Sequence, residues 1–195
     1  DSYMMVPNKK HLLMVLTLIM VGCVPTVTEL AETEPETIIA SKEELLKGEN
    51  ISDEIIQAIV SAHNNLGTKA LADGDYSSAE SQFNNVLKIQ TKNKSAQYGL
   101  AMISGHRFFK KGSNSALWKA LEQYGKAAYY NPQKNEPYYW MGRTYEKKDS
   151  KDFELIIESY QKSLEGNLGE NLTKDTEQRL SVMLKKQKIY EDFWK

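Results

Sequence analysis

Side chains that could perform catalysis or bind a metal are few and scattered along this sequence. The chain of 195 residues has three histidines and one cysteine, and His63 and His106 lie far apart and far from Cys23. A zinc site needs about four such ligands at characteristic short spacings, which this pattern does not provide. The sequence also lacks a glycine-rich phosphate loop, a zinc-protease motif and a nucleophile elbow. It therefore predicts a protein that is not an enzyme and that binds no metal, cofactor or small-molecule substrate.

The remaining titratable residues favour structural roles. We expect His63 to be a packing histidine in the core, and His106 to lie on the surface beside Arg107 at a helix end. Two pairs of adjacent acids, Glu43-Glu44 and Asp53-Glu54, stand near predicted helix starts. Negative charge is favourable there because it complements the helix dipole, so these pairs do not indicate acid–base catalysis.

The single cysteine follows a short apolar run. A basic patch at 9–11 precedes a ten-residue run at 12–21 that is apolar except for Thr17, and Gly22-Cys23 comes next. A ten-residue helix would be ~15 Å long, about half the thickness of a bilayer's hydrocarbon core. Residues 1–22 are therefore predicted to be a signal peptide and not a membrane span.

The end of this run resembles the signal of bacterial lipoproteins, in which an aliphatic residue and two small residues precede an obligatory cysteine. Here the segment is Ile19-Met20-Val21-Gly22-Cys23. The resemblance implies cleavage before Cys23 and a lipid on its thiol, which would anchor the protein in the bacterial cell envelope. An aspartate after the cysteine would favour the inner membrane, so Val24 favours the outer membrane, facing the periplasm. The alternative is an incidental cysteine in an ordinary signal peptide.

The next segment has an acidic, proline-containing composition. Residues 24–40 include two prolines and four glutamates but no positive charge. Such a composition predicts a flexible tether over 23–40, of roughly 17 residues and up to ~50 Å. Ser41 and Glu44 have capping-box spacing, which predicts a short helix within 41–51.

The overall composition favours a helical protein. Lys and Arg number 25 against 26 Asp and Glu, which gives a net charge of −1. Because nucleic-acid binding depends on neutralising phosphates, this balance argues against a nucleic-acid partner. Good helix formers are abundant, with only 5 prolines and 11 glycines. The predicted fold class is all-α.

A repeat is visible in the second part of the chain. Large–small pairs occur at Leu66-Gly67, Leu100-Ala101 and Met141-Gly142, and each is followed by an aromatic residue, namely Phe83, Tyr124 and Tyr160. Small residues allow two helices to approach closely, so the pattern predicts three helical hairpins. The small residues at the predicted contacts are Gly67, Ala79, Ala101, Ala120 and Gly142.

Helix boundaries within this region can also be predicted. Gly74 and Asp75 suit a helix end followed by a helix start, and Gly112 should end a helix lengthened by extra residues at 108–114. Ser52 and Thr173 are the expected N-caps of the first and last helices.

These positions resemble the tetratricopeptide repeat (TPR). His63-x2-Leu66-Gly67-x2-Ala70 and Ala79-x3-Phe83 follow its pattern, as do the equivalent segments of the second unit. The third unit departs from it at Ile156, which stands in the position of the packing alanine. The resemblance implies a TPR-type superhelix of helical hairpins over 52–195. Repeats would span about 60–93, 94–134 and 135–170, with a capping helix at 173–194 that packs through Leu180, Met183, Leu184, Gln187, Tyr190 and Trp194.

In that family, the first helix of each repeat usually supplies the binding surface. The corresponding partner-binding candidates are Asn64, Thr68, Tyr98, Met102, Tyr139 and Arg143. They could form an open peptide groove, or they could be packing residues, covered in part by the terminal helix. A second candidate surface is the aromatic cluster over 129–140.

The resemblance implies a scaffold for other proteins or peptides of the envelope, assisting assembly of a pilus or secretin, of β-barrel proteins or of the cell wall. The alternative is an accessory subunit bound permanently within one large membrane complex. Exposure of Tyr98, Met102 and Tyr139 would favour the first, and their occlusion the second.

Overall fold

The computed structural model describes residues 25–47 and 51–194, and those residues form ten α-helices without a strand. The all-α prediction is confirmed. The predicted signal peptide and Cys23 lie outside the described residues. The helices are α1 (Val27–Thr33), α2 (Pro35–Ala40), α3 (Lys42–Leu45), α4 (Asp53–Ala72), α5 (Tyr76–Ile89), α6 (Lys94–Lys111), α7 (Asn114–Tyr130), α8 (Glu136–Lys148), α9 (Phe153–Leu164) and α10 (Glu170–Phe193).

Six of these helices form the three predicted hairpins. The helix pairs α4–α5, α6–α7 and α8–α9 pack within each hairpin, and α5 packs on α6 and α7 on α8 between them. At the far end α10 packs on α9. The first helices of the first two hairpins, α4 and α6, also contact each other directly.

Most predicted helix ends are confirmed. The Ser52 hydroxyl accepts a hydrogen bond from the Ile55 amide (3.3 Å), and the Asp75 carboxylate accepts one from the Ser78 amide (3.0 Å). Gly112 ends α6 with a φ of 71°, in the left-handed region that favours glycine. The prediction for Thr173 is wrong: α10 begins at Glu170, and the Thr173 hydroxyl donates to the Gly169 carbonyl (2.8 Å).

Close helix contacts form around the repeated aromatic residues. Phe83, Tyr124 and Tyr160 are buried, and each ring lies against a glycine of a neighbouring helix. A Cβ at Gly67 would be 2.7 Å from the Phe83 ring, and one at Gly142 would be 2.7 Å from the Tyr160 ring. Gly67 and Gly142 therefore permit the approach of α5 to α4 and of α9 to α8.

The expected flexible tether is wrong for the residues that the structure describes. Between 27 and 40 the chain forms α1 and α2, which pack on α4. Ala31 and Ile38 are buried together with Ile59 of α4. Thr26 and Glu29 form a capping box at the start of α1, where the Thr26 hydroxyl accepts from the Glu29 amide and the Glu29 carboxylate accepts from the Thr26 amide. The composition of this segment predicts a tether because it has few apolar residues. Those few residues are nevertheless enough to cover one side of α4.

The next segment forms a helix of four residues, α3, but its predicted capping box is absent. Ser41 has a helical backbone conformation and makes no side-chain capping bond. Its position directly after α2 explains this, because Ser41 continues a helical turn and does not begin a new one.

The terminal helix α10 packs through only part of its predicted apolar side. Met183 is buried and Leu180 half-buried, whereas Leu184, Tyr190 and Trp194 are exposed. Tyr190 still contacts Phe153, the first residue of α9, with ring centroids 5.8 Å apart. Beyond that contact α10 extends past the helix that covers it, which leaves its last turn exposed.

Candidate binding cavity

A cavity of roughly 410 Å³ lies where the first helices of the three hairpins meet. Thr68 of α4, Tyr98 and His106 of α6, and Glu136 and Trp140 of α8 contribute to its lining. Residues of all three hairpins therefore surround one space, with a size within the range of about 300–1,000 Å³ that is common for ligand sites.

Aromatic rings form much of the cavity wall. The imidazole of His106 stacks on Tyr76, with centroids 5.5 Å apart and planes at 19°. The same imidazole meets Trp140 edge to face at 4.6 Å. Because rings on both sides hold the imidazole, its orientation is set by packing. An apolar side chain of a ligand would contact flat aromatic surfaces here.

Two charged residues line the same cavity. The Lys134 ammonium lies 5.1 Å from the centre of the Tyr98 ring. The Glu136 carboxylate accepts hydrogen bonds from the Trp140 indole N–H (3.2 Å) and the Tyr98 hydroxyl (3.5 Å). Burial, with the nearby Glu136 charge, raises the pKa of Tyr98, so its phenol stays protonated. The cavity thus offers one cation and one anion beside an apolar interior.

The prediction that His106 lies on the surface is wrong. It is buried, and its Nδ1 is 3.0 Å from the Tyr124 hydroxyl. Burial lowers its pKa to about 4, so the imidazole is neutral at pH 7. The extra residues that lengthen α6 make His106 an interior position of that helix, and Trp140 of the next hairpin covers it. No local sequence signal predicts that second contact.

Two of the six predicted partner-binding residues line the cavity. Thr68 is exposed at its edge, and the Tyr98 ring forms part of its wall although Tyr98 is only 6% exposed. Asn64 is half-buried, and its side-chain Nδ2 donates a hydrogen bond to the side-chain Oδ1 of Asn93 (3.4 Å), just before α6. Met102 is completely buried in the core between α6 and α7.

The other two predicted residues are held by the terminal helix. Tyr139 donates its hydroxyl hydrogen to the Asp175 carboxylate (2.8 Å), and Arg143 donates to the Tyr139 oxygen (2.7 Å). Arg179 donates to Asp175 (2.7 Å) and to Glu146 (3.0 Å). This polar cluster links α8 to α10. The six predicted residues therefore do not form one continuous open surface.

Charge within the polar cluster affects its acidic member. Burial pushes the pKa of Asp175 upward, but hydrogen bonds from Arg179 and Tyr139 outweigh burial and leave the pKa lowered. The carboxylate is ionised at pH 7, so it pairs with both guanidinium groups.

The aromatic cluster over 129–140 is divided between surface and interior. Tyr129 is 78% exposed, whereas Tyr139 is buried. Tyr138 is half-buried under the Lys162 ammonium, which lies 4.5 Å from its ring centre. The predicted second surface therefore reduces to Tyr129 and its neighbour Tyr130, whose rings lie 5.6 Å apart.

His63 has the predicted packing role. It is buried in α4, and its Nδ1 is 2.7 Å from the Gln82 side-chain oxygen. Burial lowers its pKa, which keeps the imidazole neutral.

Within residues 25–47 and 51–194, no cluster of three or more histidine, cysteine, aspartate or glutamate side chains could hold a metal ion. None of the helices in those two ranges is both long and apolar enough to cross a membrane. No model of a known protein family matches the chain, and no curated protein or solved structure is significantly similar to it.

Proposed function

We propose that this chain is a TPR-type array that binds a segment of a partner protein and has no catalytic activity. Three helical hairpins in sequence, aromatic residues packed on glycines, and turns at Gly74 and Gly112 all support this assignment. They agree with the spacing that led to the resemblance. Helices α1 and α2 at the start pack on α4 of the first hairpin, and α10 at the end packs on α9 of the third.

One observation carries the binding proposal, namely the cavity shared by α4, α6 and α8. A peptide side chain placed in it would contact Thr68, Tyr98 and Trp140, which come from different hairpins. A repeat array commonly recognises extended partners because neighbouring units present adjacent side chains. The cavity is smaller than the surface of six residues that the sequence predicted, since α10 covers the part of that surface that belongs to the third hairpin.

We also propose that Cys23 carries a lipid that anchors the protein in a bacterial envelope, with other envelope proteins or peptides as partners. Helix α1 begins four residues after Cys23. With so short a connection, a lipid on Cys23 would keep the folded helices next to the membrane and not ~50 Å away.

A second candidate function is that of a permanently bound accessory subunit. It is favoured by the occlusion of Tyr98, Met102 and Tyr139, which are only 6%, 0% and 3% exposed. It is also favoured by the exposed apolar side chains at the end of α10, where Ile189 and Trp194 are each 70% exposed and Phe193 is 78% exposed. A stable partner would cover such a patch.

A charge placed at the edge of the cavity tests the binding proposal. We expect Thr68→Arg to prevent cross-linking of the partner in membranes, because its guanidinium would occupy the cavity entrance. The matched control is Ser81→Arg, on an exposed position of α5. Partner capture by Thr68→Arg at the wild-type level would refute binding at the cavity and favour the accessory-subunit function.

The anchor is tested separately with Cys23→Ala. Labelled fatty acid should be incorporated into the wild-type protein and not into this variant. Undiminished incorporation into Cys23→Ala would refute lipidation at this cysteine.

A further inference from the structure

One ring nitrogen of His106, a residue that lines the cavity, pairs with no other described residue. His106 is 9% exposed, and its Nδ1 is occupied by the Tyr124 hydroxyl. Within the described part of the chain, its Nε2 makes no hydrogen bond, and the residue lines the cavity. Because this nitrogen is not completely enclosed, a ligand in the cavity can reach it, and a hydrogen bond to Nε2 adds modestly to the ligand's affinity.

The hydrogen bond to Tyr124 determines which nitrogen carries the proton. Burial raises the pKa of Tyr124, so its phenol keeps its hydrogen. Among the described residues the hydroxyl has no acceptor other than His106 Nδ1. If Nδ1 carried the imidazole proton, the buried phenol hydrogen would lack an acceptor. The favoured tautomer therefore has Nε2–H, which is a donor at the cavity.

The position of this donor is fixed. The imidazole stacks on Tyr76 and meets the Trp140 ring edge to face, so it cannot rotate without breaking both contacts and the Tyr124 bond. The donor thus stands at one place within an aromatic cavity. A complementary ligand group is a flat apolar ring with an acceptor at its far end.

We propose that the cavity binds a tyrosine side chain of the partner, with its phenol oxygen accepting the hydrogen bond from His106 Nε2. This inference rests on the proposed peptide-binding function. The Glu136 carboxylate lines the same cavity and accepts two hydrogen bonds from described residues, so it has capacity for the phenol hydrogen. A phenylalanine would fill the same space but leave Nε2 without a partner. A primary amide side chain has two N–H donors, so with Glu136 accepting one of them the other would be unpaired among the rings.

Two small probes distinguish a tyrosine ligand from a phenylalanine ligand. They are p-cresol, which corresponds to the tyrosine side chain, and toluene, which corresponds to the phenylalanine side chain. With the full chain, Trp140 fluorescence reports binding in a Trp118→Phe/Trp194→Phe background. We expect p-cresol to bind about tenfold more tightly than toluene, a difference of about 1.4 kcal/mol. Nitrogen-15 spectra of the imidazole should show Nε2 protonated, and p-cresol, not toluene, should shift its resonance.

The variant His106→Phe/Tyr124→Phe removes both members of the buried hydrogen bond, which limits the loss of stability. In this variant toluene should bind at least as tightly as p-cresol. The wild-type spectra provide an independent test should the variant not fold.

Equal affinities in the wild-type protein, an unprotonated Nε2, or failure of p-cresol to bind would each overturn the tyrosine inference. None of those results would refute the proposed function, which has a separate test. Partner capture by Thr68→Arg depends on access to the cavity and not on which side chain of the partner enters it.

Discussion

Two glycines in helix interiors should respond in opposite directions to the same substitution. Gly99 lies in α6, where an added Cβ would overlap Cε2 and Cζ of the Phe83 ring. Gly125 lies in α7, where an added Cβ would meet nothing within 4 Å. In both helices alanine is intrinsically preferred over glycine by about 1 kcal/mol.

At Gly99 the steric cost exceeds this preference. Phe83 is completely enclosed between α4 and α6, because its opposite edge contacts Gly67. The ring must therefore move by roughly an ångström against packed neighbours, and overpacking of this kind costs about 1–3 kcal/mol. Taking the upper part of that range, Gly99→Ala should destabilise the fold by about 2 kcal/mol net. Gly125→Ala should stabilise it by up to about 1 kcal/mol.

Urea unfolding followed by circular dichroism at 222 nm measures both changes. In thermal unfolding, Gly99→Ala should lower the midpoint by about 4–8 °C, while Gly125→Ala should raise it by about 2–4 °C. Equal stabilisation by both substitutions would refute the close approach of α6 to Phe83, and with it the stacking of the first two hairpins.

The remaining predictions concern burial and charge. Ile38→Ala should lower the free energy of unfolding by about 2–4 kcal/mol, measured with urea, because Ile38 is buried on α4. The control Glu32→Ala, at an exposed position, should change stability by less than about 0.5 kcal/mol. Equal effects of the two substitutions would mean that α2 does not pack on α4. Asp175→Asn should lower the free energy of unfolding by about 1–2 kcal/mol at pH 7, because the lowered pKa of Asp175 means that its ionised form stabilises the fold. The difference in stability from wild type should become smaller below about pH 4. A difference independent of pH would contradict the ion pairs of Asp175 with Arg143 and Arg179. The pKa of His106 is about 4 in the folded protein and near 6.5 in the unfolded chain, so the stability of the wild-type protein should fall as the pH drops from about 6.5 to 4. This residue should contribute up to about 1.4 kcal/mol per pH unit to that fall, and His106→Phe/Tyr124→Phe should remove the contribution. An unchanged slope of stability against pH would show that His106 is not buried in neutral form.

Local patterns were sufficient to predict the helical hairpins. The spacing of large–small pairs and aromatic residues located three hairpins, and Gly112 and Asp75 marked helix boundaries that the structure has. These features depend on residues close in sequence, through backbone conformation and capping, so they can be read without knowing the tertiary contacts. The role of His63 was predictable for the same reason, because its position within the repeat pattern points inward.

The first helices show where composition misled. Thr26 and Glu29 have the spacing of a capping box, and Pro35 stands at the first position of α2, so local signals for both helices were present. They were outweighed by the acidic composition of the segment. What stabilises α1 and α2 is burial of Ala31 and Ile38 on α4, a contact between segments distant in sequence.

Which residues are accessible depended entirely on contacts between helices. The repeat pattern placed Tyr98, Tyr139 and Arg143 on the same side of successive hairpins, but α10 crosses Tyr139 and Arg143 through Asp175, whereas Tyr98 remains at the cavity. His106 likewise is buried because residues of other helices, Tyr76 and Trp140, pack on its ring. Helical periodicity specifies the direction of a side chain relative to its own helix, but the neighbour that it meets there is decided when the hairpins stack.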